Sequence, residues 1–293
     1  MPGITLMHFR LIKILWANLL GVTIEIIVFK EELEKMDDYN KIELMICQVA
    51  RILEDNSTVV VGTGMPCAAA MLAQKTAAPN LTMFFEAGGV GPILPEMPIS
   101  VGNSRTCYRG IMASSMSEVM DTCQRGLIDY ALLGAAQIDM FGNINTTFIG
   151  SDHDNPDVRL PGSGGANDLA SSSWNFIVVM RHEKMRFIEK LDFLTSPGYL
   201  GGSGHREEVG LPPGGGPLKV VTNLAVMGFD EETKRMRVEQ YHPGVTSEDI
   251  TAETDFELLW SAHLNESAPP TPEELEILRG EVDPYRYVIG RNF

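Results

Sequence analysis

The stretch from residue 57 to residue 86 constrains the fold more tightly than any other part of the chain. "STVVVGTG" (57–64) is a run of β-branched residues that ends in glycines, and "LTMFFE" (81–86) is a second apolar run. Between them, "MPCAAAMLAQKTA" (65–77) has the composition of a buried helix, with Pro66 in the first turn, where a missing N–H is tolerated. Strand, helix and strand within about 30 residues make one βαβ unit, whose two strands run parallel. Strands this uniformly apolar are covered on both faces, so the rest of the chain has to supply helices for two sides of a sheet.

It supplies them in alternation. Ile42, Met45, Ile46, Val49, Ile52 and Leu53 form one helical stripe, with Asn40 and Glu43 at capping-box spacing. The pattern predicts a helix over 115–127, strands over 129–135 and 174–180, and a strand or hairpin over 218–230. A helix over 271–283 has Thr271 at its N-cap and Pro272 at the first helical position. Residues 197–217 are rich in glycine and read as a long surface loop. The expected fold class is α/β, an open and mostly parallel sheet with helices on both faces, in one domain over 36–293. Residues 1–35 stand apart. Their apolar run (11–29) contains Lys13, Asn18 and Glu25, which oppose bilayer insertion, and no small-residue cleavage signal follows. The segment reads as a leader, non-native or mis-started, and no membrane association is expected.

The formal charge is −16, which repels phosphate backbones and anionic lipid and argues against nucleic acid as a partner. Cys47, Cys67, Cys107 and Cys123 form no CxxC pair, and no histidine lies at ligand spacing from another. The cysteines read as reduced thiols of a cytoplasmic protein, and no metal site is expected.

Ligands of open α/β sheets bind beyond the carboxyl ends of the strands. Four stretches fall there: "VGTGMP" (61–66), "EAGGVG" (86–91), "GAAQIDMFGNINT" (134–146) and "PGSGGAND" (161–168). On neighbouring strands they converge on one crevice. Gly62-x-Gly64, with Glu86 two dozen residues on, outlines a dinucleotide site, although Cys67 stands where the third glycine belongs. Cys67 is expected to pack as a small apolar residue. Glu86 also suits a nucleophile. A carboxylate can attack an activated acyl group. Ala87, Gly88 and Gly89 leave room beside it, and glycine N–H groups can approach a developing oxyanion. The plain alternative is a solvated acid ahead of an ordinary turn. Gln137, Asn143 and Asn145 offer amides past a strand, and Asn167 or Asp168 is placed to cap a helix; amides in turns commonly bond their own backbone.

In order, "VGTGMP", "FFEAGGVG", "GAAQIDMFGNINTT", "PGSGGAND", "RHEKMRFIEKLDFLTSPGYL" and "HPGVTSEDI" resemble the beta subunits of the family I CoA-transferases, the glutaconate branch above all, from about residue 36 to the end. The resemblance implies an open α/β fold of the NagB/RpiA-like type and a hetero-oligomer with an alpha subunit. It implies ping-pong transfer of CoA from an acyl-CoA to a short-chain mono- or dicarboxylic acid, through a glutamyl-CoA thioester on Glu86. On the same footing, Gly164, Gly165 and Ala166 give backbone contacts near the thioester, and Gln137 and Asn143 touch substrate or build its pocket. Coenzyme A enters as a substrate, with no permanently bound cofactor and no metal. Relatives on this fold include a decarboxylase with cysteine in the glutamate's place and a ring-cleaving hydrolase that lacks the glutamate. Hydrolysis or decarboxylation is therefore the nearest alternative, and nicotinamide-linked oxidation a remoter one. Arg105 and Lys184 are candidates for holding CoA's phosphates, against the plain reading of both as surface ion pairs.

Overall fold

The computed structural model describes residues 39–290. The expected leader over 1–35 lies outside the described residues. Among the described residues no helix is long and apolar enough to cross a membrane.

Helix α1 (Lys41–Ile52) leads into β1 (Thr58–Val61), α2 (Met65–Lys75) and β2 (Thr82–Phe85). This is the βαβ unit read from the sequence: β1 and β2 are parallel, with Val61 opposite Phe85. The chain turns back through β3 (Gly89–Val90) and β4 (Met112–Ala113), then continues as α3 (Met116–Gln124) and β5 (Tyr130–Leu133). Strand β5 pairs with the free side of β1, again in parallel. Two small hairpins follow, β6 (Gln137–Ile138) with β7 (Ile144–Asn145), and β8 (Phe148–Ile149) with β9 (Val158–Arg159). Then come α4 (Ala166–Ser172), β10 (Asn175–Val179), α5 (His205–Glu208) and β11 (Gly216–Val221), with β10 parallel to both β5 and β11. Strands β12 (Ala225–Phe229), β13 (Met236–Tyr241) and β14 (Leu259–Glu266) extend that edge, with α6 (Ser247–Ala252) between the last two and α7 (Pro272–Ile277) after them. The sheet order is β14-β13-β12-β11-β10-β5-β1-β2-β3-β4.

The five central strands are thus parallel, and antiparallel strands flank them. The 218–230 region resolves into the β11–β12 hairpin. Side chains alternate between two cores, as the pleat requires. Val59, Val61, Met83, Phe85, Leu132 and Ile177 pack with α1 and α2. Val60, Phe84, Ala131, Leu133, Phe176 and Val178 pack with Val119 and Cys123 of α3 and Leu169 and Ala170 of α4. The two faces follow from connection handedness. The step from β1 to β2 goes one way across the sheet and the step from β5 to β10 the other, so right-handed crossovers put their helices on opposite sides. Thr271 caps α7 by accepting from the Glu274 N–H. The Glu274 carboxylate in turn holds Arg51 of α1 at 2.6 Å.

One expectation changes. The glycine-rich stretch 197–217 is not simply a surface loop, because it is wrapped around Arg206 of α5, which is 2% exposed. The guanidinium donates to the carbonyls of Pro197 (3.1 Å), Gly198 (2.8 Å) and Ala170 (3.1 Å). A buried cation is tolerated where such acceptors surround it, and the loop's own backbone supplies two of them.

Candidate active site

Between β1 and β5 the chain reverses its direction across the sheet, so the loops leaving their carboxyl ends part and leave a crevice. A cavity of about 720 Å³ opens there. Gly62, Thr63 and Gly64 line it after β1, Glu86 after β2, Gly134 after β5, and Arg181 past β10. Thr146, the turn ahead of α4 (Gly162, Ser163, Gly165, Ala166), Ile42 and Val288 also line it. All four stretches expected at one crevice contribute to it. Glu86 and Arg181 are the two charged side chains among the described residues of its lining.

Glu86 occupies the first corner of a tight turn, closed by the Gly88 N–H donating to the Phe85 carbonyl at 2.8 Å. Its side chain leaves the sheet on the face of α3 and α4. A Cβ on Gly165 would stand 3.1 Å from Glu86 Oε1, and one on Gly164 4.0 Å. The N–H groups of Gly164 and Gly165 donate to no backbone acceptor among the described residues. Helix α4 starts at Ala166 without a side-chain cap, and the Asn167 amide, one of the expected caps, donates instead to the Thr195 carbonyl at 2.7 Å.

The room expected at Gly88 and Gly89 is filled. A Cβ on Gly88 would meet the Ser114 carbonyl oxygen at 2.0 Å, and one on Gly89 the Thr106 carbonyl oxygen at 2.1 Å. Both glycines let the β3–β4 edge close against the turn, and neither lines the cavity. The carboxylate lies against the glycines ahead of α4 and shares the cavity with those after β1.

Gln137 and Asn143 are buried outside the cavity lining, with their amides engaged by the protein. Gln137 Nε2 donates to Asp192 at 2.9 Å, and its Oε1 accepts from Asn145 at 2.7 Å. Asn143 Nδ2 donates to Asp139 and to the Leu200 carbonyl, both at 2.8 Å, and its Oδ1 accepts from the N–H of Gly198 at 2.8 Å. Burial pushes the Asp139 carboxyl up, against the hydrogen bonds from Asn143 and Phe141. Together these amides pin the 134–146 loop to the segment over 192–200.

Cys67 lies in the first core, where burial drives its thiol well above the usual range. Arg105 pairs with Glu96 at 2.6 Å and Lys184 with Asp255 at 3.7 Å, and neither lines the cavity. Sequence reasoning passed over Arg181, the first charged residue beyond the 174–180 run, a position analogous to that of Glu86 after its own strand.

No group of three or more histidine, cysteine or acidic residues is arranged to hold a metal ion among the described residues. The family model for coenzyme A transferase matches residues 42–253. One chain of the 3-oxoadipate CoA-transferase from Pseudomonas knackmussii is 38% identical over 83% of this chain and 94% of its own length. The corresponding chain of the glutaconate CoA-transferase from Acidaminococcus fermentans is 37% identical over 84% of this chain and 94% of its own. The crystal structure of the Acidaminococcus fermentans glutaconate enzyme superposes with a TM-score of 0.82 at 35% identity, covering 87% of this chain and 99% of that one. With a parallel sheet, a switch-point cavity and a strand-end glutamate already in place, these matches show that the chain belongs to the coenzyme A transferase family.

Proposed function

We propose that the chain is the beta subunit of a two-subunit CoA-transferase and that Glu86 is its nucleophile. The observation that carries this is the Glu86 carboxylate itself. It faces the cavity from a strand end and lies against a turn whose Gly164 and Gly165 N–H groups have no backbone acceptor among the described residues. A Glu86 oxygen attacks the thioester carbonyl, the C–S bond breaks, and CoA leaves as its thiolate from an acyl-glutamyl anhydride. The thiolate then adds to Glu86 Cδ. The anhydride C–O bond breaks, which releases the first acid and leaves a glutamyl-CoA thioester. A second carboxylic acid runs both steps in reverse and departs as the new CoA ester.

The residues divide this work on physical grounds. Each tetrahedral adduct puts negative charge on an oxygen, and backbone N–H groups aimed at it contribute about 3 kcal/mol apiece. Gly164 and Gly165 are assigned that role; the N–H of Ala166, expected alongside them, donates instead to the Ser163 carbonyl at 2.9 Å. A carboxylate is a weak nucleophile in water, so the enclosing loops have to orient it and keep water from the anhydride and thioester. Binding of the distant CoA nucleotide drives that orientation. Gln137 and Asn143 are assigned to hold the loop that walls the cavity. The −16 chain is poorly suited to hold CoA's phosphates, and the two relatives from Pseudomonas and Acidaminococcus are each one subunit of their enzyme, so an alpha subunit is proposed to supply those contacts. A cytoplasmic setting is proposed from the four free cysteines, which an oxidising compartment would tend to pair. The acceptor is a short-chain mono- or dicarboxylic acid.

The test is a chemical trap. The chain, assembled with its alpha subunit, is incubated with acyl-CoA alone and then reduced with borohydride. Loss of activity, with a mass shift on the peptide carrying Glu86, is expected. Full transferase activity in Glu86→Gln overturns the assignment. Release of free acid and CoA without any need for an acceptor identifies a hydrolase instead.

A further inference from the structure

The turn ahead of α4 reaches the Glu86 carboxylate, and one residue outside the cavity holds both of its ends. At the start of the turn the Gly162 N–H donates to the Thr146 carbonyl at 2.9 Å. The Thr146 N–H donates in its turn to the Thr195 hydroxyl oxygen at 2.9 Å. At the far end the Asn167 amide donates to the Thr195 carbonyl at 2.7 Å. Thr195 is buried and does not line the cavity, whereas Thr146 and the turn itself do. Its route to the carboxylate therefore runs through the turn.

Thr195 is itself fixed. A hydroxyl can accept two hydrogen bonds and donate one, and this one does all three. It accepts from the Thr146 N–H, donates to Asn145 Oδ1 at 3.3 Å, and so accepts from the Thr147 hydroxyl at 2.7 Å. Asn145 is saturated as well. Its Oδ1 also accepts the Thr147 N–H at 2.9 Å, and its Nδ2 donates to Gln137 Oε1 and to the Phe148 carbonyl, both at 2.7 Å. The Thr195 N–H donates to the Ile144 carbonyl of β7 at 2.9 Å. A buried network with these groups satisfied is rigid. The turn it holds has little slack against the nucleophile, since a Cβ on Gly165 would stand only 3.1 Å from Glu86 Oε1.

We propose that Thr195 is a positioning residue for the reaction: by fixing both ends of the turn, it aims the Gly164 and Gly165 N–H groups at the tetrahedral centre formed on Glu86. The proposal rests on the reading of Glu86 as the nucleophile and of those two glycines as its oxyanion donors. The glycines cannot hold their own aim. Gly164 has a φ of +50° and no side chain, and α4 begins without a side-chain cap. Donors contribute to catalysis only when they are already aimed as charge develops, and a misplacement of about 1 Å costs on the order of 100-fold in rate. A turn of bare backbone takes that precision from its anchors. The two anchors can be cut separately. Removing the Thr195 hydroxyl frees the Thr146 N–H and with it the Gly162 end, while the Thr195 carbonyl still holds Asn167. Removing the Asn167 amide frees the other end alone.

The experiment follows the first half-reaction of the two-subunit enzyme. Acetyl-CoA alone is mixed with enzyme in quenched flow, and borohydride reduction reads the glutamyl-CoA thioester on Glu86 against time. The amplitude counts competent sites and the rate constant reports their chemistry, so partial unfolding lowers the first without touching the second. Thr195→Val is expected to slow the saturating rate about 30-fold, and Asn167→Ala about 10-fold. The acetyl-CoA concentration at half-saturation should stay within about threefold in both, because the aim of the donors matters in the transition state and not in binding. Thr195→Ser restores the hydroxyl and should react within about threefold of wild type. If Thr195→Val fails to fold, Asn167→Ala, at the more exposed anchor, decides the question. A lowered amplitude with a wild-type rate, a change confined to the half-saturating concentration, or a Thr195→Ser enzyme as slow as Thr195→Val overturns the proposal. The two readings fail separately: absence of label on Glu86 in wild type refutes the nucleophile, whereas labelling at the wild-type rate in both Thr195→Val and Asn167→Ala refutes only the role of Thr195.

Discussion

The turn after β2 and the turn ahead of α4 meet at the Glu86 carboxylate, and both are made of nearly bare backbone. They are bare for different reasons. At Gly88 and Gly89 any side chain would run into carbonyl oxygens about 2 Å away, which belong to the backbone and cannot swing aside (2.0 and 2.1 Å). At Gly165 the nearest obstacle to a Cβ is the tip of Met120 at 2.7 Å, followed by Glu86 itself at 3.1 Å. At Gly162 nothing lies within 4 Å. One cluster is closed by its own fold, and the other is open to whatever occupies the cavity. A glycine cluster beside a reactive group therefore does not by itself mark the substrate's side. What the missing Cβ would strike decides it.

Substitutions can break this division. The largest effect is expected at Glu86, which borders both turns. Glu86→Gln keeps the shape, removes the nucleophile and should lower kcat by about 10⁴-fold or more in the two-subunit enzyme. Thermal unfolding should shift little, because the side chain lies on the open side; a large loss of stability would place Glu86 in the packed cluster. Gly88→Ala comes next. A methyl cannot be fitted against backbone, and φ of +114° is unfavourable to any L side chain, so a loss of about 3 kcal/mol is expected from urea unfolding. Gly165→Ala reverses the pattern. Met120 can yield and the carboxylate has to shift, so kcat should fall about 100-fold while stability changes by less than about 1 kcal/mol. If Gly165→Ala unfolds the protein as readily as Gly88→Ala, the two turns are alike and the division fails.

Much of the frame was readable because it rests on local pattern. Residues 57–86 announce two parallel strands and a crossover helix, and the stripe over 42–53 announces the helix that packs on them. The outer strands were less readable. β13 and β14 mix apolar with polar residues, β14 is largely exposed, and they pair with segments whose partnership no local pattern signals. Arg206 was hidden by composition: in a stretch of glycine and proline its charge reads as solvated, and only the closing of 197–217 around it shows otherwise. The site was readable in its loops and less so in its side chains. Strand ends named Glu86 and the turn ahead of α4. Gln137 and Asn143 look alike in sequence whether an amide faces a ligand or a neighbouring loop, and the structure has both bonding inward. Arg181 begins the charged run "RHEK", where a cavity cation and a surface cation have the same local signature.

The smallest effect is the most exacting test of the division between packed and open glycines. Gly62 follows β1, lines the cavity, and has nothing within 4 Å of a Cβ built upon it. It also lacks the left-handed φ that makes Gly64 hostile to a side chain, with φ of +80° at Gly64 alone of the pair. Gly62→Ala should therefore leave the fold intact and raise stability by about 0.5 kcal/mol, because alanine restricts the unfolded chain more than glycine does. Its cost should appear only with substrate bound. If the acyl-CoA passes over this loop, the added methyl raises the KM for acyl-CoA by a few-fold (about 1 kcal/mol of lost binding) with kcat nearly unchanged, the pattern of a contact shared by ground and transition states. An unchanged KM moves the substrate's path off the β1 loop and toward the turn ahead of α4. A loss of stability above about 2 kcal/mol would mean that packing holds Gly62 after all, and bare backbone around this cavity would then have a single explanation.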